Sequence, residues 1–116
     1  MSTRSARVAS ELGRLLNEML LREIKDPRLH GVQITDVELS GDLSVARIFF
    51  SLLDPDGEQA PAEAALHSAT GFIRRKVGRE LRLRRVPELR FVRDESARRG
   101  FEISRLIDRA RADDSE

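Results

Sequence analysis

The chain of 116 residues contains no cysteine, no tryptophan and no tyrosine. Without cysteine it can form neither a disulfide framework nor a cysteine-ligated zinc site. Its five phenylalanines fall mostly in apolar patterns, so the sequence offers few rings on which nucleic-acid bases could stack. No apolar run approaches the roughly 20 residues that span a bilayer. We therefore expect a cytoplasmic protein without a membrane segment.

The residue patterns of catalytic and metal sites are also missing. The two histidines, His30 and His67, lack an H-x-x-x-H spacing, and there is neither a Walker A loop nor a GxSxG elbow. Asp36, Glu38 and Asp42 fall along a predicted hairpin whose solvent face needs polar side chains in any case, which argues against a magnesium cluster. We predict a protein that is not an enzyme and that uses no metal and no cofactor.

What the sequence does have is a local concentration of positive charge. Residues 71–90, GFIRRKVGRELRLRRVPELR, contain eight of the 21 Lys and Arg residues and only two acids, a net charge of +6. Because the whole chain is +1, the other residues together carry −5. A basic segment gathered in this way predicts binding to a polyanion, most simply a nucleic acid.

The spacing within this segment predicts a helix that begins at Gly71 and has one apolar and one basic face. Ile73, Val77 and Leu81 recur every four positions and form the apolar face. An alternative explanation for these arginines is an ordinary solvent-exposed helix face that binds nothing. Such faces usually mix charges of both signs, whereas this one is almost entirely positive. The predicted basic face comprises Arg75, Arg79 and Arg82, with Arg74 at its border and with Arg84 and Arg85 continuing the charge up to Pro87.

Gly78 falls within the basic face and lacks a Cβ atom, so we expect a phosphate to approach the backbone closely there. A second glycine, Gly71, follows Thr70 between two helical patterns, the first of which begins near Pro61. Glycine inside a helix costs roughly 1 kcal/mol relative to alanine. The sequence therefore predicts an interhelical kink at Ala69, Thr70 and Gly71, with a positive φ angle or a close backbone approach at Gly71.

The remaining elements predict a single α+β domain. An amphipathic helix covers Ser5 to Lys25, and two strands, Val32 to Leu39 and Leu43 to Leu53, form an antiparallel hairpin with a parity slip at Thr35-Asp36 that predicts a bulge. A third strand follows Val86-Pro87. The periodicity then predicts a terminal helix with apolar positions at Ile103, Leu106, Ile107 and Ala110. An acidic tail follows it. The predicted domain covers residues 1–112 and the tail covers residues 113–116.

This order of elements is typical of helices packed on one face of a three-stranded sheet. It matches the K-homology module in its bacterial, type II, arrangement, in which a GxxG loop between two helices clamps the backbone of four nucleotides. Here the residues Ala-x-Gly at 69–71 take the place of that loop.

Three stretches resemble the ribosome-binding factor A family: REIKDPRL at 22–29, SGDLSVARIF at 40–49 and SATGFIRRKVGRELRLRRVPEL at 68–89. The resemblance covers residues 5–110. It implies a K-homology-like domain that binds the immature small ribosomal subunit and its rRNA, supports late maturation and rRNA end processing, and matters most in the cold. It assigns the kink to residues 69–71 and the RNA-facing helix to Arg74, Arg75, Lys76, Arg79 and Arg82.

Two other functional classes remain open at this point. A general binder of structured RNA or DNA would use the same basic helix, whereas a protein-interaction module would use the acidic tail and the charged face of the first helix. We expect a monomer. Whether an assembly GTPase promotes release from the subunit is left open by the resemblance.

Overall fold

The computed structural model describes residues 3–54 and 57–95 of the chain. The predicted terminal helix and the acidic tail lie outside these residues. The elements, in order, are helix α1 (Thr3–Arg22), a short 3-10 helix (Pro27–Leu29), strands β1 (Val32–Leu39) and β2 (Val45–Leu52), helix α2 (Gln59–Glu80) and strand β3 (Glu88–Arg93).

Helix α1 forms because its apolar residues recur at helical spacing and can be buried together. Leu12, Leu16 and Met19 are almost completely inaccessible to solvent. The helix ends at Arg22, three residues before the predicted end, because the next two backbone N–H groups both donate to the carbonyl of Met19 at 2.9 Å. Asp26 then caps the 3-10 helix by accepting a hydrogen bond from the backbone N–H of Arg28 at 3.0 Å.

The three strands form one sheet in the order β1-β2-β3. β1 and β2 are antiparallel, and their register shifts between Ile34 and Asp36, so the predicted hairpin and its bulge are both confirmed. β2 and β3 are parallel. Ile34, Val37, Ile48 and Phe50 are buried with residues of both helices in one core. The α+β class with a three-stranded sheet is therefore confirmed.

The connection between β1 and β2 is stabilised by a carboxylate. Asp42 accepts hydrogen bonds from the Ser40 hydroxyl at 2.8 Å and from the hydroxyl and backbone N–H of Ser44 at 2.7 and 3.1 Å. The hydrogen bonds from Ser44 and Ser40 lower the pKa of Asp42 to about 2. Leu43, between them, adopts a left-handed backbone with φ of 61° and packs against the core.

Helix α2 is continuous through residues 69–71, so the predicted start of a separate helix at Gly71 is wrong. The reason is that the apolar positions on both sides of the glycine stay in phase along one side of a single helix. Ala62, Leu66, Ile73 and Val77 are all buried in the same core. Burying this uninterrupted stripe outweighs the roughly 1 kcal/mol cost of an internal glycine.

Within residues 3–54 and 57–95, neither long helix contains a stretch apolar enough to cross a membrane.

The outer edge of β1 is closed by a side chain of α1. The Asn17 amide accepts a hydrogen bond from the Ile34 N–H at 2.8 Å and donates one to the Ile34 carbonyl at 3.0 Å. It thus takes the place that a neighbouring strand would take. Unpaired strand edges favour aggregation, and proteins commonly cover them in ways such as this.

We predict that Asn17→Ala destabilises the domain by about 1–3 kcal/mol, because it removes both partners of the Ile34 backbone. Arg14→Ala on the same helix is the matched control. It removes only an exposed ion pair to Glu18 at 3.2 Å, worth about 0.5 kcal/mol. Urea titration of the two variants measures the difference. Equal losses would mean that water replaces the amide at no cost.

Candidate nucleic-acid interface

The exposed side of α2 carries the predicted basic residues because the opposite side is buried. Ile73 and Val77 have no solvent exposure, as the spacing predicted. Arg75 lies two residues after Ile73, and Arg79 lies two residues after Val77. Because each residue turns an α-helix by 100°, both arginines lie nearly opposite the buried face and point toward solvent. Both are exposed. The predicted apolar face is therefore confirmed at Ile73 and Val77, and the basic face at Arg75 and Arg79.

The helix ends earlier than the arginine spacing suggested. Its last residue is Glu80, Leu81 is the C-cap, and Arg82 has a left-handed backbone with φ of 50°. The N–H of Leu83 donates to the Gly78 carbonyl at 3.3 Å, the six-to-one bond of a Schellman-type helix end. Placing Arg82 on the helix face was therefore wrong. It begins a loop that turns back along α2 and carries Arg84 and Arg85.

Gly78 is needed for packing inside the protein. A Cβ atom at this position would lie 2.9 Å from Cγ2 of Val86, closer than such atoms approach each other in proteins. The absent side chain leaves room for the loop to lie directly on α2. The expectation that a phosphate approaches the backbone at Gly78 is corrected accordingly, because Val86 already occupies that space.

Two of the predicted RNA-contacting cations are engaged within the protein. Nη2 of Arg74 donates to the carbonyl of Val86 at 3.1 Å. The Lys76 ammonium forms an ion pair with Glu23, just after α1, and its side chain is only 20% exposed. Among the described residues, the five other cations have neither an ion pair nor a hydrogen bond. We call these five, which are Arg75, Arg79, Arg82, Arg84 and Arg85, the basic surface; all are exposed.

Residues 69–71 do not form a separate junction. Ala69 packs partly against the core, and the Thr70 hydroxyl donates to the Leu66 carbonyl at 2.9 Å. Gly71 is exposed and helical; Gly31 is the one described glycine with a positive φ angle, 80°. The expected positive φ at Gly71 is therefore wrong. A Cβ atom there would lie 3.4 Å from Nη1 of Arg75 and would otherwise meet only solvent.

One exposed aromatic residue on α2 was not among the predicted site residues. Phe72 is 40% exposed, and the positions three and seven residues after it are Arg75 and Arg79. Residues at these spacings lie on one side of a helix, so a ring lies beside two cations that have no described partner. The same helical spacing that identified the basic face would have identified Phe72.

The acidic residues of the hairpin have structural roles. Asp36 accepts a hydrogen bond from the N–H of Val37 at 2.9 Å, and Glu38 pairs with Arg47 at 3.3 Å. In the part of the chain that the structure describes, no three His, Asp or Glu side chains come close enough to hold a metal ion.

The fold and this surface define a small α+β protein with a cationic face suited to a polyanion. A family model described as ribosome-binding factor A matches residues 4–107. The chain belongs to the ribosome-binding factor A family.

Individual relatives agree with this assignment. The chain is 44% identical to ribosome-binding factor A of Lacticaseibacillus casei over 113 residues, 96% of each chain. It is similar to the crystal structure of ribosome-binding factor A from Thermus thermophilus, with a TM-score of 0.68 and 30% identity over 77% of this chain and 94% of the other. It is also similar to a homology model of the Thermus thermophilus protein fitted into a cryo-EM map of a 30S-RbfA complex, with a TM-score of 0.63 and 30% identity over 75% of this chain and 91% of that one.

We predict that Gly71→Ala stabilises the protein by about 1 kcal/mol, because the glycine is helical and exposed and alanine has the higher helix propensity. Gly78→Ala is the matched control in the same helix. It should destabilise by about 1 kcal/mol or more, because its Cβ meets Val86 and overpacking outweighs the propensity gain. Denaturant titration of both variants tests the two expectations. A less stable Gly71→Ala protein would show that the helix requires glycine there.

Proposed function

We propose that this protein is an assembly factor of the small ribosomal subunit that binds the immature subunit through its rRNA. The observation that carries the proposal is the basic surface, five exposed arginines with neither an ion pair nor a hydrogen bond among the described residues, in a member of this family. Arginine suits phosphate recognition because its planar guanidinium group donates two parallel hydrogen bonds. The 30S complex of the Thermus thermophilus relative supports the choice of the small subunit.

The proposal extends to how the RNA is recognised. The basic surface offers five guanidinium groups, whereas Phe72 is the one phenylalanine among the described residues that is exposed to solvent. Contacts to phosphates position a protein on RNA, whereas contacts to bases provide sequence specificity. We infer that recognition depends on the positions of phosphates in folded rRNA, with Phe72 stacking on one unpaired base.

The proposed role is late maturation of the subunit in the cytoplasm, including processing of rRNA ends, without catalysis by the protein itself. It includes a greater requirement in the cold, where misfolded RNA helices rearrange more slowly. An assembly GTPase that promotes release, and a monomeric state of the factor, belong to the same proposal.

We also infer that the fold is a variant of the type II K-homology module. The order helix-strand-strand-helix-strand and the parallel pairing of β2 and β3 support this relationship. Helix α2 then corresponds to both helices that flank the GxxG loop. The Ser68 and Thr70 hydroxyls donate to the carbonyls four residues earlier, at 3.0 and 2.9 Å. Such bonds often bend a helix without breaking it, and a bend is what we propose at residues 69–71.

A general binder of structured RNA or DNA with the same basic surface is the second candidate. Sedimentation of a cell extract on a gradient separates the two functions. We predict that the protein travels with immature small subunits, and that the triple variant Arg75→Glu, Arg79→Glu and Arg82→Glu stays at the top of the gradient although it remains folded, because all three side chains are exposed.

The matched control reverses three exposed arginines of α1, Arg4, Arg7 and Arg14, to Glu. It makes the same change in net charge at another site, and we expect it to remain with the subunits. If both triple variants dissociate equally, net charge and not the basic surface determines binding. A wild-type protein spread over mature subunits and free nucleic acid would favour the general binder.

The salt dependence of binding distinguishes phosphate contacts from stacking. We predict that Arg79→Ala lowers the slope of log affinity against log salt by about one unit, because one fewer phosphate is neutralised. Phe72→Leu should weaken binding by about 1 kcal/mol at every salt concentration without changing the slope, since stacking releases no counterions. Binding of immature subunits at four salt concentrations measures both. Undiminished affinity of Phe72→Leu would show that the ring does not contact RNA.

A further inference from the structure

The loop that carries three arginines of the basic surface is held against α2 at both ends. At its start, the N–H of Leu83 donates to the carbonyl of Gly78 at 3.3 Å. At its end, the Val86 side chain lies over Gly78, and Nη2 of Arg74 donates to the Val86 carbonyl at 3.1 Å. Pro87, which follows, is fully buried. We call residues 82–86 the arginine loop.

These contacts sort the side chains of the loop into two groups. Leu83 and Val86 pack against the hydrophobic core. Arg82, Arg84 and Arg85 are exposed. A loop fixed in this way presents its charges in a defined arrangement before the ligand arrives. Ordering a flexible segment on binding costs affinity, and a segment that is already ordered avoids most of that cost.

Arg74 makes a contact that spans the two elements. It lies on α2 one turn before Gly78, and its guanidinium group reaches a carbonyl twelve residues later in the chain. Arg75, the next residue, is also exposed, but its side chain has no hydrogen bond to the loop or to any other described residue. The side chains of these two neighbouring arginines carry equal charge, but only that of Arg74 is bonded to Val86.

We propose that Arg74 is a positioning residue: it holds the arginine loop through the Val86 carbonyl so that Arg82, Arg84 and Arg85 meet phosphates of the bound RNA. The inference rests on the proposed function. It differs from the role that the family resemblance gave Arg74, which was direct contact with RNA.

A double-mutant cycle tests the assignment, because residues that act through one another are not additive whereas independent contacts are. Arg74→Met removes the hydrogen bond and the charge but keeps a long side chain. Its effect on affinity for immature small subunits is measured in the wild-type protein and in the Arg84→Met, Arg85→Met double variant. Arg75→Met is measured in both backgrounds as the matched control.

We expect Arg74→Met to weaken binding about tenfold in the wild-type background, the loss of about 1.4 kcal/mol. Its effect should be clearly smaller where Arg84 and Arg85 are already absent, because only Arg82 then remains for it to position. Arg75→Met should weaken binding by the same factor in both backgrounds. An equal effect of Arg74→Met in both backgrounds would overturn the assignment and make Arg74 a direct ligand. If removing Arg84 and Arg85 leaves affinity unchanged, these two arginines do not contact RNA and the positioning role of Arg74 is overturned. The proposed function is tested separately, by sedimentation of the Arg75, Arg79 and Arg82 variant.

Amide hydrogen exchange of the free protein provides a readout without RNA. We expect Arg74→Met to accelerate exchange of the Leu83 amide about tenfold, since local openings determine its protection. The Leu81 amide, which bonds to the Val77 carbonyl at 2.9 Å within the helix end, should exchange at an unchanged rate. Unchanged exchange at Leu83 would contradict a positioning role, whatever the binding data show.

Discussion

The burial of one stripe of α2 is the constraint on which the fold and the basic surface both depend. Ala62, Leu66, Ile73 and Val77 lie on that stripe and pack with the sheet and α1 in a single core. Because a helix with one side fixed in the core has no rotational freedom, the other side is fixed as well. Arg75 and Arg79 are exposed as a direct result. A substitution that disturbs the stripe would therefore misdirect the charges as well as weaken the core.

The sequence predicted what depends on local periodicity. The bulge between Ile34 and Asp36 was visible because one residue broke an alternating pattern. The apolar face of α2 was visible because Ile73 and Val77 are four residues apart. The start of a separate helix at Gly71 was predicted because glycine is a poor helix former, and tertiary packing overrode that propensity. Propensity differences of about 1 kcal/mol are small beside the burial of several apolar side chains.

The sequence could not predict which cations are engaged inside the protein. Arg74 and Arg75 are adjacent and chemically identical, and the hydrogen bond of Arg74 to Val86 cannot be inferred from the sequence. The same holds for Lys76, whose partner Glu23 is 53 positions away in the chain. Likewise, the sequence suggested that a phosphate could approach the backbone at Gly78, but the side chain of Val86 occupies that space. Contacts between distant residues decide each of these roles, and periodicity carries no information about them.

The segregation of charge also affects which orientation RNA adopts on the protein. Residues outside 71–90 together carry a net charge of −5, whereas the segment 71–90 carries +6 and attracts a polyanion. Complementary and repulsive regions on one molecule determine binding orientation more than total affinity. The arginine loop, which carries Arg82, Arg84 and Arg85, turns back along α2, the helix that carries Arg75 and Arg79. One helix and its following loop therefore supply the whole basic surface, and the hydrogen bonds between them hold its geometry before any RNA is bound.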